Sequence, residues 1–345
     1  MIKQLPLPIL MLFIFSFNLV QGQDVHFSQF ALTPTLLNPA LAGSEKQSQA
    51  IINYRNQWKS LGNPYTSFHA SLDYALTKIN NSNGYLAAGI DITSDKAGAS
   101  ELKQLQSVLS LAYHARIGEN SQLGVGLSGG FGQRSVNYSN LQWGSQFDGN
   151  AYNGSLAGGE AGGANSISFA DIGAGIQWSY SKGERYMSGN DQRKATLGIS
   201  LLHINQPACS FYSTNEKLNR KFVASGQFLL GIPNSALSIL PGFLYSQQGS
   251  LTEVLVGTRI RYLLEQESNY TGFEKGKAIS LGTFYRAGDA FITSLHLEMG
   301  KLEFCVSYDF TLSSLEQANN GRGGMELALK YSFVTANQKG SSKRY

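Results

Sequence analysis

Apolar and polar residues alternate along most of this chain with a period of two. In residues 301–312 (KLEFCVSYDFTL), Leu302, Phe304, Val306, Tyr308, Phe310 and Leu312 fall on one face, and Glu303, Cys305, Ser307, Asp309 and Thr311 on the other. Successive side chains of a strand point to opposite sides, so this pattern predicts a strand with one apolar and one polar face. Residues 67–74, 105–116, 196–201, 254–262, 291–299 and 326–333 read the same way. The segments are long for a globular sheet. They match the ~9–11 residues that a tilted strand needs to cross a bilayer. About 14 strands are predicted, an even number as in bacterial outer-membrane barrels. They begin near Gln49, Thr66, Tyr85, Gln104, Gln122, Ile167, Ala195, Phe222, Leu237, Glu253, Ala278, Ala290, Lys301 and Met325.

One stretch offers a competing reading. LGVGLSGGFG (residues 123–132) contains G-x-G-x-x-G at Gly124, Gly126 and Gly129. That spacing holds a dinucleotide only where a strand ends and a helix begins. Here Leu123, Val125, Leu127 and Phe131 carry the alternation straight through the glycines, which leaves no helix N-terminus to hold a phosphate. The glycines are expected on the inward face of a strand.

With both barrel ends in the periplasm, odd-numbered connections face outward and run longer. The two longest gaps, around 135–165 and 204–220, fall on that side, and short turns at 232–235 and 300–301 on the other. Gaps near 181–193 and 265–276 are longer than the rule prefers. Charged residues make up only 14% of the chain, yet Arg, Glu, Asp and His concentrate on the face opposite the apolar one. A soluble barrel would bury those charges, whereas a wide lumen hydrates them. No lysine and arginine block tracks a phosphate backbone, which excludes a nucleic-acid reading. Residues 1–22 read as a secretory signal peptide, with Lys3 ahead of the apolar run ILMLFIFSFNLV. Residues 23–48 form an N-terminal segment, 49–335 the barrel, and 336–345 a basic periplasmic tail with Lys339, Lys343 and Arg344. Cys209 and Cys305 are the two cysteines, and their pairing is left open.

Candidate chemistry is sparse. His26, His69, His114, His203 and His296 show no zinc spacing, and no G-x-S-x-G elbow occurs. No catalytic residue, metal or cofactor is expected; a Ser-His-Asp group assembled across strands is the alternative. His26, Phe27, Ser28, Gln29, Asn38, Pro39 and Ala40 precede the first strand. They either fold into the lumen as a plug or close the periplasmic end. Tyr54, Arg55, Asn56, Gln57 and Trp58 end the first strand; Arg55, Gln57 and Trp58 meet a partner, or pair with lumen carboxylates and anchor at the interface. Arg259 and Arg261 line a polar passage or balance Glu298, Glu303 and Asp309. In the exterior loops, Trp143, Phe147, Tyr152, Pro207, Phe211 and Tyr212 are candidate partner anchors, or pack loop on loop.

DVHFSQFALTPTLLNPALAG (24–43) and YRNQW (54–58) resemble the start of the PorP/SprF family of outer-membrane proteins. The likeness continues through DKAG (95–98), LQWGSQF (141–147), LLHINQPACSF (201–211), NRKF (219–222), FLYSQQG (243–249), TFYRAGDA (283–290), VSYDFTLSSL (306–315) and GGMELALKY (323–331). The chain departs from the family near Val25, where a Pro or acidic residue is usual, and at Phe30–Ala31, often two aromatics. The resemblance implies a non-enzymatic accessory barrel of the type IX secretion system and gliding machinery. Its implied partners are type IX components, or a secreted adhesin-like protein carrying a type IX C-terminal domain that it helps to export or attach. The competing function is a hatch-gated channel for small or apolar solutes.

Overall fold

Fourteen strands follow one another along the chain: β1 (Ser48–Gln57), β2 (Tyr65–Ala75), β3 (Gly84–Ala97), β4 (Leu102–Arg116), β5 (Ser121–Ser135), β6 (Ser166–Lys182), β7 (Arg193–Leu202), β8 (Lys221–Gly231), β9 (Leu237–Gln248), β10 (Leu251–Glu265), β11 (Lys277–Arg286), β12 (Ala290–Met299), β13 (Leu302–Thr311) and β14 (Arg322–Phe333). The computed structural model describes residues 24–45, 48–62, 64–77, 83–98, 101–137, 142–156, 158, 165–182, 190–211, 216–265 and 276–333. Each strand pairs antiparallel with its neighbours in sequence, and β1 closes on β14 from Ser48↔Phe333 to Gln57↔Gly324. Closure leaves no unpaired sheet edge, which a bilayer would not tolerate. Every predicted strand start lies within three residues of an observed one.

The alternation fixes which side chains face the bilayer. Leu109, Leu127 and Leu281 point outward and are more than half exposed, while Ser110, His114 and Glu326 point inward and are buried. Aromatic pairs sit toward the rims: Trp58 with Tyr65, Trp178 with Tyr180, and Tyr331 with Phe333. Rings with an apolar body and a polar tip suit that depth. β1 starts and β14 ends at one rim, called the near rim below. The long connections β5–β6 and β7–β8 lie at the other, the far rim.

The lumen holds the core, and the chain's own N-terminal segment supplies part of it. A 3-10 turn (Phe30–Leu32), helix α1 (Pro34–Leu37) and a second 3-10 turn (Pro39–Leu41) lie inside the barrel. Phe30 and Leu37 cluster with Val223, Leu244, Leu255, Phe284 and Ile292 from β8 to β12. The inward face is therefore not uniformly polar. These five wall positions are apolar because the segment covers them and water does not.

Candidate functional site

The N-terminal segment runs the length of the lumen. At the far rim, Asp24 N donates to Gln248 Oε1, the last residue of β9, at 3.0 Å. Toward the near rim, Gly43 N donates to Asp73 Oδ2 at 2.7 Å, and Tyr85 Oη donates to the Gly43 carbonyl at 2.9 Å. Between them the Asn38-Pro39-Ala40 turn is held from three sides. Asn38 Nδ2 donates to the carbonyls of Ile176 and Ile199 at 3.0 and 3.2 Å, and Asn38 Oδ1 accepts from Ala40 N at 2.9 Å. Pro39 sets the φ of the turn that follows, and the Asn38 side chain caps it.

Gly126, within residues 123–132, and Gly175 on β6 make room for this turn. A Cβ on Gly126 would overlap the backbone of Pro39 and Ala40, and one on Gly175 would overlap the Asn38 amide. A Cβ on Gly124 would come within 2.8 Å of Gln177 Nε2. Gly129 has nothing within 4 Å of its Cβ position and takes no part. Of the G-x-G-x-x-G glycines, Gly126 alone seats the plug, with Gly175 beside it on β6.

Farther out, buried charges tie the plug to the wall. Ser28 N and Gln29 N donate to the two oxygens of Glu326 at 2.8 and 3.1 Å, and Ser28 Oγ donates to Asp309 at 2.7 Å. Arg55 donates to the His26 carbonyl at 2.6 Å and to Asp309 at 2.9 Å. Arg286 joins Ser28, Glu253 and Asp309 at 2.7, 3.1 and 3.2 Å. Asp309 was expected to balance Arg259 and Arg261, and the structure corrects this. Asp309 lies near the far end of β13, whereas both arginines lie toward the near end of β10. Arg286, Glu253 and Glu326 were not singled out in the sequence; inward parity on their strands is the signal that could have found them.

At the far rim, His203 lies 2.6 Å from Asp24 and 2.9 Å from Asp171, with Lys221 3.8 Å from Asp24. Burial alone would lower the His203 pKa, but the two carboxylates push it up to about 9. Burial would raise the Asp24 carboxyl, yet His203 and Lys221 hold it well below the usual carboxylate range.

The near half of the lumen is open. A cavity of about 630 Å³ lies under the plug, roofed by Phe30, Leu32 and Pro34. A second of about 410 Å³ shares Gln49, Lys194, Glu298 and Lys330 with it. Its charges are paired along the wall: Arg261 with Glu298 at 2.7 Å, Arg259 with Glu303 at 3.4 Å, and Lys330 with Glu303 at 3.0 Å. Cys305 Sγ stands 3.4 Å from His296 Nε2, whose Nδ1 is 3.0 Å from Glu303. That order matches a nucleophile, base and carboxylate, but thiol and ring are fully buried and no substrate reaches them. Both cysteines are free. Among the described residues no group of His, Cys, Asp and Glu is placed to hold a metal ion.

The remaining sequence candidates scatter. Tyr54 points outward, while Asn56 and Gln57 are half-buried at the far end of β1. Trp58 sits at the left-handed φ of 55° and meets Tyr65 edge-on at 4.9 Å. In the β5–β6 loop, Phe147 and Tyr152 pair across an isolated bridge and are exposed by 59% and 48%. Trp143 is half-buried against Gly158. In the β7–β8 loop the Pro207 carbonyl accepts from Leu218 N, and Phe211 is half-buried. Tyr212, residues 1–22 and the basic tail lie outside the described residues.

The sequence matches, over residues 19–331, the family described as type IX secretion system membrane protein PorP/SprF. The chain belongs to this family. PorP/SprF proteins are membrane barrels and not an enzyme family. No curated protein matches the chain. Among solved structures, the Pseudomonas putida toluene transporter TodX is 9% identical, with a TM-score of 0.47 over 90% of this chain and 95% of that one. A Pseudomonas aeruginosa FadL homologue is 11% identical, with a TM-score of 0.45 over 88% and 94%. BamA from Haemophilus ducreyi is 11% identical, with a TM-score of 0.42 over 84% and 71%. The cargo named for TodX is a property of TodX.

Proposed function

We propose that this PorP/SprF protein is a non-enzymatic accessory barrel of type IX secretion, exported by its signal peptide to the outer membrane. It aids the export or surface attachment of an adhesin-like protein carrying a type IX C-terminal domain. The observation that carries this reading is the plug. It is bonded to strands all round the wall, and a vestibule lies on its near side. A barrel with a filled lumen works through its surfaces rather than as a conduit. Phe147 and Tyr152, exposed on the β5–β6 loop, are the favoured partner anchors, since rigid exposed aromatics dominate binding energy at interfaces. With the near rim in the periplasm, as short near-rim turns suggest, this loop faces the cell exterior.

Affinity isolation from detergent-solubilised outer membranes, followed by mass spectrometry, tests the proposal. A large secreted protein or type IX components should co-purify, and Phe147→Ala with Tyr152→Ala should weaken their retention. A clean monomeric barrel would sink it. The rival reading, a hatch-gated channel for small or apolar solutes, requires the plug to leave; solute uptake by liposomes holding the barrel alone would favour it.

A further inference from the structure

Lys182 and Arg193 stand directly opposite each other at the near end of the β6–β7 ladder. Cross-strand neighbours sit about 4.5–5.5 Å apart, and like charges so placed repel. Among the described residues neither side chain has a hydrogen bond or ion pair. Both point outward. Lys182 shares its face with Trp178 and Tyr180, and Arg193 is paired on its other side with Leu230, 44% exposed. The inward pair beside them, Ser181↔Lys194, lines the vestibule instead. Two cations without a side-chain partner among the described residues therefore face the bilayer edge.

What lies above them on that face points to the missing anion. Trp178 and Tyr180 stack at 6.4 Å, immediately toward the membrane interior. Beyond them come the pairs Trp178↔Leu197, Ile176↔Ile199 and Ala174↔Leu201. There the outer wall has an apolar depression of about 760 Å³, lined by Leu127, Ala174, Ile176, Ile199, Leu201 and Phe222. Small Ala174 among large neighbours makes the dent. At about 3.3 Å per residue, Lys182 to Ile176 spans roughly 20 Å along the strand. At a tilt of about 40° this is roughly 15 Å along the membrane normal, the hydrocarbon depth of one leaflet.

We propose that Lys182 and Arg193 hold the phosphate of an anionic phospholipid in the near-rim leaflet, with an acyl chain running past Trp178 into the depression at Ala174. The face favours a lipid over an acidic protein, because its cations and its apolar groove lie on one outward strand pair at acyl-chain spacing. The site rests on the membrane-barrel fold and not on the secretion partner.

The test uses the full mature protein in nanodiscs of equal phosphatidylglycerol and phosphatidylcholine, released into detergent, with retained lipid counted by native mass spectrometry. Phosphatidylglycerol should be retained in preference, and raised salt should release it. Two surface cations at about 1 kcal/mol each correspond to a loss of about 30-fold in the K182Q/R193Q double variant. Lys59→Gln, at the far rim, should change nothing. Equal retention of the two lipids by the unmodified protein overturns the site. So does unchanged phosphatidylglycerol retention in the double variant, and so does loss of a co-purifying protein with lipid retention unaltered. Failure of the protein to enter nanodiscs overturns the membrane reading, and the site with it.

Discussion

The far and near halves of the lumen draw on the same residue types and use them differently. In the far half Arg55, Arg286, Asp309, Glu253 and Glu326 are buried, and the plug's own backbone and Ser28 complete their hydrogen bonds. In the near half Arg259, Arg261, Glu298 and Lys330 are only half-buried; with the buried Glu303 they satisfy one another along the wall and border open space. These far charges need the plug, and these near pairs do not. A buried ion is costly unless every partner is present, whereas a hydrated pair loses little when broken. The far half thus holds the plug in place, and the near half stays accessible.

The largest expected effect breaks this comparison most directly. Arg55→Ala leaves Asp309 and the His26 carbonyl short of a buried donor and should cost about 3–5 kcal/mol. Equilibrium unfolding in detergent reads it, and a loss under about 1 kcal/mol would mean that the far half is hydrated like the near half. Next comes pH. His203, pushed up to about 9, adds stability that is full below its ordinary 6.5 and disappears as pH rises through 9. Asp24, held below its ordinary 3.8, adds stability that is full above that value and is lost as pH falls further. The far-rim contacts should therefore be strongest between about pH 4 and 6.5, with an alkaline loss on the order of 3 kcal/mol. Stability measured against pH should show that alkaline limb, and His203→Gln should flatten it.

Asn38→Ala removes a cap and two wall contacts, and should cost about 2 kcal/mol. Faster proteolysis within residues 24–45, with the barrel intact, is the readout; a protected segment would show that the Gly126 and Gly175 seats hold the plug by shape alone. The smallest effect is expected at Arg261→Ala. Its pair with Glu298 borders the vestibule, so unfolding should shift by less than about 1 kcal/mol. A larger loss would place the near half in the same buried class as the far half.

Much of the barrel was legible in the sequence. Period-two alternation placed every strand because the bilayer and the lumen impose opposite polarity on adjacent residues. It also set aside the nucleotide reading of Gly124, Gly126 and Gly129. The partners of the lumen charges were not legible. Arg259, Arg261, Glu298, Glu303 and Asp309 all follow inward parity, but parity is blind to height along the barrel axis. Register alone separates Asp309 from the arginines of β10. Inward apolar residues such as Val223, Leu255 and Ile292 likewise made sense only once Phe30 and Leu37 were seen against them. Loop aromatics showed the same limit: Phe147 is exposed and Trp143 is half-buried, a difference that composition does not carry.

The sequence by itself determined the strands, their two faces and the family, since these depend on local periodicity and on motifs contiguous in the chain. Only the tertiary structure decided that Asn38 rests against Gly175, that Asp309 belongs to Arg55 and Arg286, and that open space lies in the near half of the lumen. Those contacts join residues up to about three hundred positions apart, and closure of β1 on β14 is what brings them within reach.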